Sequence, residues 1–213
     1  MTTWGSENVV CPGCEEVFVA TQVFSCGFAS KTRDFMPDYW GANPLPFFVH
    51  VCPNCLFAGY SGDFEITDAT PQKKEPEIPA WEKYYILAQR LVDEQGDNVK
   101  SLSGIAWAYL QSAWAARVVD RDGEKERIRL QDALIFFKRV YEKDTDARVT
   151  YICGEINRLL GNFDEAVRFF AEVPDHVKKT RLVEDEKDLD WLIEMSKEQK
   201  TAASEGKTEV MKM

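Results

Sequence analysis

Nowhere does this chain hold a run of about 18 apolar residues, so no segment is expected to span a bilayer. Its first residues, Met1 to Asn8, are polar and lack the basic-then-apolar order of an export signal, which points to the cytoplasm. Basic charge is in short supply: 26 Lys and Arg face 36 Asp and Glu, for a net of -10. That balance favours solubility and opposes anionic partners such as nucleic acid or an acidic membrane face. Also missing are a Ser/His/Asp set, a phosphate-cradling glycine loop and a readable close pair of carboxylates, so no enzyme class is indicated.

What the chain does have is a core. Apolar residues make up 45% and aromatics 12% of 213 residues, enough for one domain with an appendage or two small domains. Six cysteines in a reducing compartment are not expected to form a disulfide framework, and paired C-x-x-C units there indicate metal or redox chemistry.

Four of the six form two such pairs, Cys11-Pro12-Gly13-Cys14 and Cys52-Pro53-Asn54-Cys55. Each turn presents two sulfurs from one tight loop, and proline fixes a backbone angle in it. Four soft donors at about 2.3 Å suit a structural zinc ion, so Cys11, Cys14, Cys52 and Cys55 are the expected ligands. Iron is the alternative occupant and would make the site an electron carrier. Four thiolates fill a tetrahedral shell and leave no position for water or substrate, which makes the site structural. Cys26 and His50 then fall outside the shell, as a packed free thiol and an ordinary strand histidine. Glu15 and Leu56 follow the two pairs, where glycine would be easier to accommodate. Residues such as Phe18, Val19, Val23 and Phe24, and the run Phe47-Phe48-Val49-His50-Val51, read as strands of a module too small for a large core.

Between the pairs lies Asp34-Phe35-Met36-Pro37-Asp38-Tyr39-Trp40-Gly41-Ala42-Asn43-Pro44-Leu45. With the second C-P-x-C turn it resembles the bacterial family called domain of unknown function 2225, which joins two such turns through a D-F-x-P-x-Y-x-G-x-N-P-L block and continues into a helical region. The chain departs from that pattern at Lys31-Thr32-Arg33, at Met36 where the family tends to carry cysteine, and at Leu56 where it carries glycine. The resemblance implies a fold and no activity. Asp34, Tyr39 and Asn43 are the non-cysteine candidates for a binding surface in this block. The competing reading gives Asp34 and Asn43 to turns, and Tyr39 and Trp40 to a small core.

A zinc ribbon invites the thought of nucleic acid. Residues 1 to 70 hold eight acidic and two basic side chains, a net of -6, which leaves almost nothing to neutralise phosphate. Nucleic-acid binding is therefore not expected.

Residues 68 to 79 carry three prolines and charge and read as an extended linker. Beyond it the apolar period changes to 3.6. Helices are expected over Trp81 to Gln95, over 102 to 119 with an apolar face too wide for a surface helix, and over the stripes Leu130 to Tyr141 and Val149 to Leu160. Asn162 and Glu165 form a capping-box pattern for the next helix, which Pro174 is expected to stop, and a last helix carries Leu189 to Ile193. Ala133, Phe137 and Val140 recur 33 residues later as Ala166, Phe170 and Val173, close to the tetratricopeptide period. Cys153 belongs to a buried stripe, and His176 reads as a solvated loop residue. The tail from Lys197 to Met213 is small, polar and charged, and reads as disordered.

The expected fold class is thus α+β: a zinc-ribbon-like β module over 1 to 67, a linker over 68 to 79, and a tetratricopeptide-like all-α domain over 80 to 196. A closed metal site beside helical hairpins suggests a non-catalytic adaptor that takes a protein or peptide partner. An enzyme using Asp34, Tyr39 or Cys26 in a cleft between the two segments is the alternative.

Overall fold

The computed structural model describes every residue except Met1, Gln95, Thr145 and 185–188. The chain is α+β, with a small β region first and helices after it. Its strands are β1 (Thr3–Val10), β2 (Val17–Ser25), β3 (Phe28–Lys31), β4 (Pro37–Tyr39), β5 (Val49–Val51), β6 (Ala58–Tyr60), β7 (Glu65–Ile66) and β8 (Lys73–Lys74). Helices follow as α1 (Ala80–Glu94), α2 (Val99–Ala115), α3 (Gly123–Lys143), α4 (Ala147–Leu159), α5 (Phe163–Glu184) and α6 (Asp190–Ser204). They fall into two compact units, whose boundaries cut across the linear order. The first takes residues 1–30, 37–95 and 107–129; the second takes 31–36, 96–106 and 130–213.

In the first unit a four-stranded sheet runs β7-β1-β2-β8, with β1 and β2 antiparallel from Trp4↔Val23 to Val10↔Val17. A separate ribbon pairs β5 with β6, from Val49↔Tyr60 to Val51↔Ala58. Alternation along β2 sends Phe18 and Ala20 inward, where they meet Val9, Phe64 and the buried cysteines Cys11 and Cys52. The rings of Phe18 and Phe57 each stand edge-on to Phe64 at 5.8 Å. This core is small, and the cysteines themselves are part of it.

Residues 68–79 are not a free connector. Lys73 and Lys74 pair in parallel with Phe18 and Val19, and the Glu75 amide donates to the Val19 carbonyl. The Glu75 carboxylate then accepts from Val51 N at 3.1 Å and Lys83 Nζ at 2.7 Å, and stands 3.4 Å from His50 Nδ1. Burial is the largest single influence on this carboxylate and opposes its charge, but His50 and Lys83 together outweigh it and hold the group below its ordinary range. One side chain so ties the segment to β5 and α1. Farther along, the Asp120 carboxylate accepts the Ala80 and Trp81 amides and caps α1.

α2 is buried over most of its circumference, from Leu102 and Ile105 through Ala106, Tyr109, Leu110 and Ala113 to Trp114, with Ser103, Trp107 and Gln111 half-buried along the remaining stripe. In the second unit α4 packs on α5 and α5 on α6. The positions that recur with a 33-residue shift are buried in both copies, Ala133, Phe137 and Val140 in one and Ala166, Phe170 and Val173 in the other. Gly154 is small for a reason: a Cβ there would stand 2.8 Å from the Phe170 ring.

Three expectations fail in this unit. Pro174 does not stop its helix, because α5 carries it in its interior. The lost hydrogen bond and ring clash normally cost about 3 kcal/mol, and the burial of Val173 and Val177 on either side opposes that cost. His176 consequently lies in helix with 7% of its surface exposed, its Nδ1 2.6 Å from the Thr150 hydroxyl. Burial pushes its imidazole below the ordinary value, with Lys179 acting in the same direction. The tail is the third. Helix α6 runs to Ser204, the Lys207 and Glu209 carbonyls accept from Arg158 at 2.8 and 2.9 Å, and Met211 and Met213 form backbone hydrogen bonds with Arg33 and Lys31.

Candidate metal centre

Each C-P-x-C turn closes a β-hairpin. Residues 11–16 join β1 to β2 and residues 52–57 join β5 to β6, and the two connections repeat each other bond for bond. Cys11 N donates to Glu16 O and Cys52 N to Phe57 O, both at 2.9 Å. Glu15 N returns to Cys11 O at 2.9 Å and Leu56 N to Cys52 O at 3.1 Å. Gly13 N and Asn54 N each point at the sulfur two residues back, at 3.4 Å. Glu15 and Leu56 both sit in the left-handed region, with φ of 61° and 60°. That conformation costs a residue with a Cβ roughly 1–2 kcal/mol, so the glycine preference read from the sequence has a direct backbone cause.

The hairpins bring the four sulfurs of Cys11, Cys14, Cys52 and Cys55 within 4.8 Å of one another. Cys11 Sγ lies 3.6 Å from Cys55 Sγ, and Cys14 Sγ 3.6 Å from Cys52 Sγ. Disulfides are excluded by separations far beyond the bonded distance of about 2.05 Å. A tetrahedral ion with metal–sulfur bonds of about 2.3 Å places its ligands roughly 3.8 Å apart, so this cluster could hold one metal ion. Burial pushes the Cys11 thiol up to about 12 and raises Cys52 as well. Cys14 goes the other way, to about 6, chiefly through the Asn54 side chain, whose Nδ2 is 3.5 Å from its sulfur. Asn54 Oδ1 in turn accepts from Lys73 Nζ at 3.4 Å. A cation would resolve the conflict at the buried pair, since coordination keeps a thiol deprotonated where burial alone would not.

His50 and Cys26 lie outside the cluster. His50 is fully buried on β5 and faces Glu75, a partnership with no local sequence signal because 25 residues separate the two. Cys26 is exposed, not packed. Trp40, expected in a small core, is 54% exposed, and its ring edge covers Gly27.

The block between the pairs is divided. Asp34 belongs to the second unit, where it is fully buried and accepts from the Thr32 hydroxyl. Its neighbour Phe35 holds φ at 69° and sets its ring 5.3 Å from that of Tyr151. Tyr39 and Asn43 belong to the first unit. Asn43 Oδ1 accepts from Leu45 N at 3.0 Å, an Asx turn, while burial drives the Tyr39 phenol up to about 12 beside the Phe48 ring. Cys153 is a buried core thiol raised to about 12 by desolvation.

Two polar pairs escaped the sequence reading. Glu75 and Lys83 stand on the wall of a groove of about 700 Å³ with Thr21, Pro46 and Ile78. Arg158 and Glu155 are both fully buried and joined at 2.7 and 2.9 Å. Their i, i+3 spacing was visible, but on a helix it reads as a surface pair. Among the described residues no helix is long and apolar enough to cross a membrane.

No curated protein and no solved structure matches the chain. A family model does, over residues 5–80 and 79–203: the chain belongs to the family of uncharacterised proteins conserved in bacteria, domain of unknown function 2225.

Proposed function

We propose that the protein is a non-catalytic, zinc-stapled adaptor of a reducing compartment such as the cytoplasm. The observation that carries this reading is the convergence of four thiols from two like hairpins at tetrahedral spacing. Four thiolates complete the shell of a zinc ion, and a closed shell binds no substrate. The ion's work is structural, because a β core this small needs a staple. The partner surface is assigned to the tetratricopeptide-like helices, with a peptide or protein as occupant. Support comes from burial repeating with a 33-residue shift, since stacked hairpins leave a curved face open.

The test has two arms. Metal content and the absorption spectrum of protein purified without added metal should show one zinc per chain and no visible band. Coloured, iron-bound protein would replace the adaptor with an electron carrier. Crosslinking in cells followed by identification of captured proteins should return one reproducible partner, lost when exposed residues of the helices are changed. A purified chain that turns over a metabolite and captures no protein would sink the reading.

A further inference from the structure

The four sulfurs are not equivalent. Cys11 and Cys52, the first cysteine of each hairpin, are fully buried and sit in the core beside Phe18 and Phe64. Cys14 is half-buried and Cys55 exposed. The two short separations cross between hairpins, and each joins the sulfur of a fully buried residue to that of a more exposed one: Cys55 to Cys11, and Cys14 to Cys52, both at 3.6 Å. Two accessible thiolates backed by two buried ones is the layout of an attacked thiol with its resolving partner.

We propose that this centre, on the reading that it holds zinc, is a site of oxidative modification by hydroperoxides, and that oxidation links the hairpins crosswise as Cys11–Cys55 and Cys14–Cys52. The exposed Cys55 thiolate attacks the peroxide O–O bond, becoming a sulfenic acid as hydroxide leaves. The Cys11 thiolate then attacks the Cys55 sulfur and expels a second hydroxide. Two thiolates have lost two electrons, one peroxide has become two hydroxides, and two of the four ligands are gone. Cys14 and Cys52, left as a pair that would hold zinc only weakly, close in the same way with a second peroxide. Cys11 and Cys52 cannot be reached first, so the order runs from outside inward. The outcome differs from the usual chemistry of a C-x-x-C unit, which closes within itself. Each crossed bond fastens one hairpin to the other after the ion is lost.

The experiment uses the full chain with Cys26, the other exposed thiol, changed to alanine. Metal is quantified first, then hydrogen peroxide is titrated in with a chromogenic zinc chelator present, and samples are alkylated and digested with trypsin. Cleavage after Lys31, Arg33 and Lys73 puts the two hairpins in different peptides. One peroxide per chain should release most of the zinc and yield the two peptides joined through Cys11 and Cys55, with Cys14 and Cys52 still alkylated. A second should join Cys14 to Cys52. Disulfides confined within each peptide, or zinc retained under a tenfold excess of peroxide, would overturn the proposal while leaving the zinc reading intact. A chain that holds no metal at the outset overturns both.

Discussion

The two units solve the same problem with different means. In the first, α1 and residues 107–115 of α2 bury Tyr84, Leu87, Leu110 and Trp114, but the short strands bury few side chains, and among them the cysteines, Phe64 and the Glu75 carboxylate do the joining. In the second, long helices enclose an apolar set larger than that of the strands, Tyr151, Phe170, Val173, Val177, Leu192 and Met195 among it. A sheet of two-to-nine-residue strands cannot bury enough surface to offset the entropy of ordering it, whereas stacked helices can. On the zinc reading, the stability of the strands of the first unit should therefore depend on a ligand concentration, and that of the second unit on packing.

On the zinc reading, removing the metal should split the molecule along this line. A strong chelator, or Cys52→Ser with Cys55→Ser, withdraws binding energy on the order of 10 kcal/mol from the first unit. Hydrogen exchange should then lose protection over residues 3–66 and keep it over 147–180. Uniform loss of protection in both stretches would show that the second unit has no stability of its own.

Next in size is Arg158→Met. It leaves Glu155 buried without its partner and releases the Lys207 and Glu209 carbonyls, for a loss of roughly 3–5 kcal/mol. Denaturant unfolding monitored in the helices reads the loss, and metal content should not change. The matching break in the first unit is Glu75→Gln, which strands the buried Lys83 ammonium and weakens the bond to Val51 N, at about 3 kcal/mol. That variant should raise the chelator sensitivity of the protein, and Arg158→Met should not.

Acid offers a finer separation. His176 has a folded-state pKa below its ordinary 6.5, so the unfolded chain binds the proton more readily. Its contribution is whole above pH 6.5 and declines as pH falls from there toward the lowered value. Lys179, Asp175 and Glu172 face it, with the Tyr141 ring alongside. The slope for one such group is at most about 1.4 kcal/mol per pH unit. His176→Asn should flatten the pH dependence of helical unfolding below pH 6.5; an unchanged slope would assign it to other groups.

How far the residues foretold this arrangement depends on how local each signal was. The cysteine pairs carry their chemistry within four positions, and the strained residue after each pair was visible as a missing glycine. The Pro174 stop failed because a local breaking rule met a buried face extending beyond it, through Val177 to Thr180. With the helix ended at Pro174, His176 fell into a loop and lost its place on that face. The tail misled for a related reason: small, polar and charged composition was all that could be read at residues 197–213, while its anchor, Arg158, lies 49 residues from Lys207. The Lys31–Met36 excursion into the second unit leaves no periodic trace at all.

The smallest effect sharpens the comparison most, because it acts on the first unit without touching the four cysteines. Leu56 holds φ at 60° and is 59% exposed, so its side chain gains little from packing while its backbone bears the cost of a left-handed turn. Glycine at this position relieves about 1 kcal/mol in the fold, offset in part by the greater freedom it gives the unfolded chain. The hairpin bond from residue 56 to Cys52 O needs only a backbone amide and is kept. Leu56→Gly should therefore tighten metal retention against a competing chelator by a few-fold and leave the unfolding of the helices unchanged. The same replacement at Glu15, φ 61°, should act alike if the two hairpins are energetic as well as geometric copies. Weaker retention in both variants would mean that the side chains, and not the backbone, hold these turns closed.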